Sequence, residues 1–568
     1  MTNRTLAQAE RWYEKTSVRL ALAIGLNVLF MIFMLSCFEL RYEENDDLTV
    51  QKFLDGQTAV KTPYCAYLDY ILAQLLIWAY DLCGDKLPMF SILQYAMLLF
   101  SFSAVTYMLL KKLPLIPALA GMSAVWCFFG ADCYLLLTYT KTAGIATVAA
   151  VLIMLMALEE REKPSWPGFI SGAALLLLAC MLRDKEFLAC LGLMFPLGLI
   201  CLIRHVLKSR EGRLKRALSF SLPFVAALSV CAGAMGFNAL MWQKEPYRSY
   251  KEYNDARSRY IDYLPPEYER MPQVYDSLGL DEEDLELGAY YDKEKWTTES
   301  YRQLSQAREE HVGHLSLGEC LGLFLDSCLP AFFQQRHIFG LGAALLLWTA
   351  WGKRDRYSYM ALAGSFALFG AMYLLLIWQG RFLVNRTDVG FFFALTVVLL
   401  SCLDGNKARK DRALALVLAC LCVGLMWRQN RDFSYLYSEN FIRDDSAQKT
   451  AVEQIVKDEE HIYLTEIGGL DHMLYSPQET VPRGYSDRIV LLGDWCVRHP
   501  QIEERLADFG LDQPMRDIVD NERAYLVVRD IEPVLSYIEK YYCPEAKAEP
   551  VEPLSSQTGL AVYRVFSH

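Results

Sequence analysis

The sequence predicts a polytopic α-helical membrane protein of about eleven transmembrane helices, with interfacial helices in its first outer loop and a soluble α/β domain at its C-terminal end. Three observations predict it. Hydrophobic residues make up 53% of the 568 residues and charged residues only 22%. The apolar residues gather in blocks of roughly 15–25, the length a helix needs to cross a bilayer. Lysine and arginine concentrate in short loops between the blocks, as they do in cytoplasmic loops. The net charge of −11 excludes a nucleic-acid partner on electrostatic grounds.

Each element follows in order. Arg4, Arg11, Lys15 and Arg19 flank the start of the first apolar run, 18–35, and place the N-terminus in the cytoplasm. The run is too long for a cleaved signal peptide, and no small-residue cleavage site follows it. Residues 39–87 then form a first outer loop with the acidic cluster Glu43, Glu44, Asp46 and Asp47. Segment 66–83 is apolar but interrupted by Asp69, Gln74 and Asp81. If it crossed, Lys111 and Lys112 would fall outside, so it is predicted to lie along the outer surface. Runs 88–110, 113–129, 143–158, 166–182, 188–203 and 217–241 alternate in direction, with Arg161, Lys163 and the basic stretch 204–216 inside.

Residues 243–333 form a long outer region, beyond the length of a simple connection. It is rich in tyrosine (Tyr247, Tyr250, Tyr253, Tyr260, Tyr263, Tyr268), carries the acids 281–284, and ends in a second candidate interfacial helix, 317–333. Runs 338–351, 357–378, 389–403 and 413–427 complete a transmembrane domain over 1–428. The tail, 429–568, is predicted outside. Its strand candidates (461–465, 488–492, 524–528, 560–566) alternate with helix candidates (446–457, 501–509, 531–542), the pattern of a small α/β domain. The chain has no GxGxxG, P-loop or GxSxG. Most of its 16 cysteines lie in apolar blocks, where they act as small hydrophobes; Cys496 and Cys543 share the tail and could pair.

Two groups of residues carry chemistry. Asp46 and Asp47 stand just past a span, where burial could tune a carboxylate into a general base or let it hold a metal; the competing reading is a solvated acidic loop. No cofactor is named by the sequence, and a divalent cation is one group the pair could take. Arg183, Lys185, Arg381 and Arg386 stand in short outer loops, against the positive-inside bias. An anionic ligand at the membrane surface, such as a lipid phosphate, would explain them. So would salt bridges to Asp184, Glu186 or Asp388; that reading is favoured for Lys185 and Arg386, the ligand for Arg183 and Arg381. His311 and His314, beside Glu309 and Glu310, read first as a solvated helix and second as metal ligands. The loop tyrosines could stack on sugar rings or simply pack. Asn385–Arg386–Thr387 fits a glycosylation sequon.

The layout resembles the GT-C superfamily of polyprenyl-phosphate-sugar-dependent membrane glycosyltransferases. The residues that carry the resemblance are Asn45–Asp46–Asp47, then Phe53–Leu54–Asp55–Gly56, Thr62–Pro63 and the helix from Ala66. Leu48–Thr49–Val50 departs from the aromatic or histidine that often follows the acidic pair. The resemblance implies a multi-pass plasma-membrane enzyme of bacterial-envelope type that transfers a sugar from a polyprenyl-phosphate donor to an envelope glycan or lipid acceptor on the outer face. It casts Asp46 as general base and Asp47 as orienting Asp46 or the acceptor. Arg183 or Arg381 would hold the lipid phosphate. Two rival readings stay open: a transporter or flippase of an envelope lipid or polysaccharide, and a non-catalytic glycan-binding membrane protein.

Overall fold

The computed structural model describes residues 15–568 except 58–59, 160–163, 208–211, 264–267, 283, 286–291, 313–314, 382–384, 442–444, 466–469, 471–473, 494 and 552–559, and without the side chains of 45, 270, 311–312, 432–441 and 445–447. The histidine pair and the basic markers Arg161, Lys163, Lys208 and Arg210 fall outside that description.

The membrane part runs through α1 (Thr16–Cys37), β1 (Arg41–Tyr42), α2 (Asn45–Asp55), α3 (Tyr70–Cys83), α4 (Met89–Lys112), α5 (Leu115–Val125, carried by a π-turn on to Leu135), β2 (Leu136–Leu137), α6 (Tyr139–Leu158), α7 (Trp166–Leu182), α8 (Asp184–Leu207) and α9 (Arg213–Met241). The long outer region holds α10 (Tyr247–Ile261), α11 (Thr298–Val312) and α12 (Leu317–Leu323, carried by a π-turn on to Gln334). Then follow α13 (Arg336–Trp351), α14 (Arg356–Trp378), α15 (Asn385–Ser401) and α16 (Arg412–Phe441). Among the described residues eight helices are long and apolar enough to cross a membrane: α1, α4, α5 with its continuation, α6, α8, α9, α14 and α16. Hydrocarbon offers backbone groups no hydrogen-bond partner, so such runs satisfy themselves as helices. The crossing window of α6 is 94% buried and that of α1 only 17%, so α6 is central and α1 turns most of its surface to lipid. Small residues let the centre close. A Cβ on Gly144 of α6 would stand 3.0 Å from the Cα of Gly390 on α15.

Helix ends meet in two layers. In one, Lys112 Nζ donates to the Ser401 carbonyl (2.5 Å), Arg204 pairs with Asp355 (2.9 Å), and the Lys353 N–H donates to the Cys402 carbonyl (2.9 Å). These are the basic positions expected inside. In the other, β1 pairs in parallel with β2, and Asn385 Nδ2 donates to Glu43 (2.8 Å).

Helix α3 has both its ends in this second layer. The Asp69 N–H at its start donates to Met181 O at the end of α7, and Tyr70 N–H donates to Asn238 at the end of α9. Near its other end Tyr80 Oη accepts from Phe90 N–H at the start of α4 (3.2 Å). Its 14 residues reach only about 21 Å. It therefore lies along this layer. The side chain of Asp69 caps it by accepting from Ile71 N–H, and Gly84 ends it at φ +60°.

The tyrosines of the outer region pack: Tyr253, Tyr260, Tyr275 and Tyr301 form a small core with Trp296 and Met271. The tail folds as α17 (Asp445–Val456), β3 (Ile462–Thr465), β4 (Ile489–Leu491), α18 (Pro500–Asp508), β5 (Ala524–Val528), α19 (Glu532–Tyr541), β6 (Lys547–Val551) and β7 (Ala561–Phe566). Its sheet has the order β4-β3-β5-β7-β6, parallel on the first side and antiparallel on the other. Strand β6 was not predicted: it is an edge strand, mostly exposed and with Pro550 in it, so it lacks the apolar alternation of the others. Cys496 and Cys543 are both free thiols, which corrects the pairing considered from their shared position in the tail.

The tail docks on both outer loops. Gln57 Nε2 donates to Val481 O (3.3 Å), Tyr537 donates to Asp292 (2.8 Å), and His499 Nε2 lies 3.1 Å from Tyr64 O. Burial pushes the His499 imidazole down to about 4, so the ring is neutral. Its Nε2–H then donates to Tyr64 while Nδ1 accepts from Gln501 N–H (3.3 Å).

Candidate functional site

Helix α2 begins the site. Adjacent residues on a helix point about 100° apart, so Asp46 and Asp47 face different surroundings. The side chain of Asp46 is 17% exposed. Its Oδ1 accepts from Trp495 Nε1–H (3.0 Å), and its Oδ2 lies 3.9 Å from the Arg386 guanidinium. Asp47 is wholly buried. Its Oδ1 accepts from Gln94 Nε2 and from the Tyr139 backbone N–H, both at 2.9 Å, and its Oδ2 has no hydrogen-bond partner. Its carboxylate ties α2 to α4 and α6.

Burial pushes the Asp47 carboxyl up from 3.8 to about 7, against the lowering by the bonds from Gln94 and Tyr139. The folded chain thus holds this proton more tightly than the unfolded chain. Its stabilisation is present below about pH 4 and is lost as pH rises through 7, a change of at most about 4 kcal/mol. Asp47→Asn removes that dependence. The melting-temperature gap between D47N and wild type should widen in favour of the variant from pH 4 to 7 and stay level above. A gap that is constant with pH would refute it. Asp55, also pushed up to about 7 by burial, is common to both proteins and cancels in the difference.

All four of these basic residues meet around one cavity of about 250 Å³, lined by Arg183, Lys185, Arg381 and Arg386 together with the apolar Met372, Leu375, Leu376 and Phe391. Arg183 lies over the rings of Tyr67 (4.6 Å) and Tyr139 (5.4 Å). Among the described residues neither Arg183 nor Lys185 forms an ion pair, so the expected bridges to Asp184 and Glu186 are not made. Arg386 pairs with Glu44 (3.1 Å) and approaches Asp46, not the expected Asp388. Asp388 instead accepts from Tyr373 and from Gln335 (3.1 Å). Arg381 pairs with Asp262 (3.3 Å). Arg386 therefore joins the acidic mouth to the cationic cavity.

Three further residues stand out: Glu186, read in the sequence only as a salt-bridge partner, and Lys141 and Trp495, which were missed. Glu186 is the one acid in the cavity lining; it accepts from Cys190 Sγ (3.4 Å), and its carboxylate fills the space left by Gly144 and Gly390. Lys141 is buried between Asp132 (2.6 Å) and Glu43 (2.9 Å). A lone lysine at the head of an apolar, small-residue run was a legible signal for it. Trp495 touches Asp46 across 449 positions of sequence, and no local pattern announces such a contact.

The guanidinium of Arg386 bridges the carboxylates of Glu44 and Asp46.

No protein-family model matches the chain, and no curated protein matches it. Among solved structures the chain is similar to ArnT from Cupriavidus metallidurans, in the crystal structures of its undecaprenyl-phosphate-bound and apo states, each with 12% identity and a TM-score of 0.41 over 96% of this chain and 97% of that one.

Proposed function

We propose that the protein is a membrane glycosyltransferase that moves a sugar from a polyprenyl-phosphate donor to a hydroxyl of an envelope glycan or lipid. In this reading α7, α13 and α15 also cross the bilayer, giving about eleven spans, with the N-terminus in the cytoplasm and the mouth and tail outside. The observation that carries the proposal is a cavity lined by four cations as well as by apolar side chains, joined through Arg386 to the partly exposed Asp46. A lipid phosphate needs both: fixed positive charge for the phosphate and apolar contact for the chain.

The reaction follows from this layout. Asp46 Oδ2 takes the proton of the acceptor hydroxyl. The acceptor oxygen attacks the anomeric carbon, and the bond from that carbon to the phosphate oxygen breaks. The electron pair goes to the phosphate, whose charge Arg183, Lys185, Arg381 and Arg386 stabilise in place. A phosphate leaves without a general acid, and no such acid is required here.

Undecaprenyl phosphate is the probe for the cavity. Its binding to the full-length protein in lipid nanodiscs should weaken about 10²–10⁴-fold in Arg183→Met/Arg381→Met, since each of the two charge-assisted bonds contributes roughly 1.5–3 kcal/mol. Undecaprenol, without phosphate, should bind equally weakly to wild type and variant. Unchanged affinity of the variant for the phosphate would overturn the assignment.

A further inference from the structure

We propose that the C-terminal domain is a working part of the site, supplying Trp495 as the residue that positions the Asp46 carboxylate. The inference rests on the transferase reading for its kinetic consequence, but not for the contact itself. Indole Nε1 is a donor only. It can hold a carboxylate oxygen but cannot take a proton, so Trp495 orients Asp46 and does not share its chemistry. Its bond occupies Oδ1 and leaves Oδ2 to face Arg386 and the mouth.

Trp495 is itself firmly held. Its side chain is buried, and its carbonyl accepts from Tyr250 Oη (3.0 Å) on α10. Its ring packs on Phe53 of α2 (5.7 Å) and on Tyr67 (5.5 Å), whose ring also carries Arg183. One side chain of the tail thus contacts the acidic element directly and Arg183 through a single ring. Four residues further on, buried His499 fixes the same segment against Phe53 (4.5 Å) and Tyr64. The carboxylate is set by packing and a second layer of contacts rather than by its own rotamer preference.

Trp495→Phe keeps an aromatic ring against Phe53 and Tyr67 and removes the N–H. In full-length protein in nanodiscs, W495F should lower kcat for transfer from an undecaprenyl-phosphate-linked sugar about tenfold while leaving KM for that lipid within about twofold. A purely structural tryptophan would leave kcat intact once the variant is folded. A second readout needs no turnover: in protein labelled with nitrogen-15 in its indoles, the N–H resonance that is absent from W495F should shift in Asp46→Asn. Loss of kcat with a shifted resonance supports the proposal. Full kcat in W495F, or a resonance that does not move in D46N, overturns it. Wild type inactive toward every lipid-linked sugar defeats the transferase reading, and the resonance then decides alone whether Trp495 holds Asp46.

Discussion

Asp46→Asn should lower the rate of sugar transfer by about 10²–10⁴-fold, the range general-base catalysis contributes. Asparagine keeps an oxygen to accept from Trp495 Nε1–H, so the local packing is preserved while the proton acceptor is lost. KM for the lipid donor should change little, because the four cations of the cavity are untouched. Asp47→Asn is the control on the neighbouring position. Its carboxylate is wholly buried against Gln94 and Tyr139, and an amide there keeps the oxygen that accepts both bonds. Transfer by D47N should stay within a few-fold of wild type. The comparison is made by following radiolabelled sugar from a polyprenyl-phosphate donor into membrane acceptors, with all proteins matched for amount and melting temperature. Equal activity of D46N and wild type would remove the base from the mechanism. It would turn attention to movement of the lipid across the bilayer, measurable as translocation of a fluorescent lipid phosphate by the same preparations.

The membrane architecture was legible because hydropathy and loop charge report it directly. Lys112, Arg204 and Lys353, which the positive-inside bias puts on one side, meet in one end layer. The same reasoning placed α3 along the surface, and both its ends do lie in one layer. The four basic residues that break the bias were legible as a group, since a charge opposed by topology needs a partner. Which partner was not legible. Arg386 reaches Glu44 and Asp46, more than three hundred positions away, while the sequence-near Asp388 is taken by Tyr373. The split between Asp46 and Asp47 follows from helical geometry, but only once the start of α2 is known. Trp495 depends on how the tail docks, and tertiary contacts of that kind leave no periodic trace in a chain. In the tail, β3, β5 and β7 were visible as apolar runs, whereas β6 was hidden by its exposed edge position and Pro550.

Lys141→Met should destabilise the folded protein by about 3–5 kcal/mol, the cost of stripping one partner from a buried ionic cluster. The Lys141 side chain is 1% exposed, and its Nζ stands 2.6 Å from Asp132 Oδ2 and 2.9 Å from Glu43 Oε2. Asp132 stands in the first turn of the short helix that continues α5, Lys141 lies in the first turn of α6, and Glu43 follows β1, whose pairing with β2 holds the acidic loop against the bundle. One ammonium thus joins three elements at the point where the chain leaves the bundle for the mouth. Methionine fills similar volume, so the loss is one of charge rather than of packing. Two buried carboxylates would then have lost their shared cation. Neutralising them should restore most of the loss: Lys141→Met/Asp132→Asn/Glu43→Gln is expected to melt within about 1–2 kcal/mol of wild type, because a buried ion cluster can be replaced by neutral groups at little net cost. Thermal unfolding of the purified proteins in one detergent, followed by exposure of buried cysteines such as Cys133 and Cys190 to a thiol-reactive dye, gives the comparison. A single variant that melts with wild type, or a triple variant no more stable than the single, would show that the cluster does not hold the loop. The restored triple variant should still be slow in transfer. Glu43, which also accepts from Asn385, precedes Glu44 and Asp46, and weakening its hold on α6 loosens the segment that presents the base to the cationic cavity.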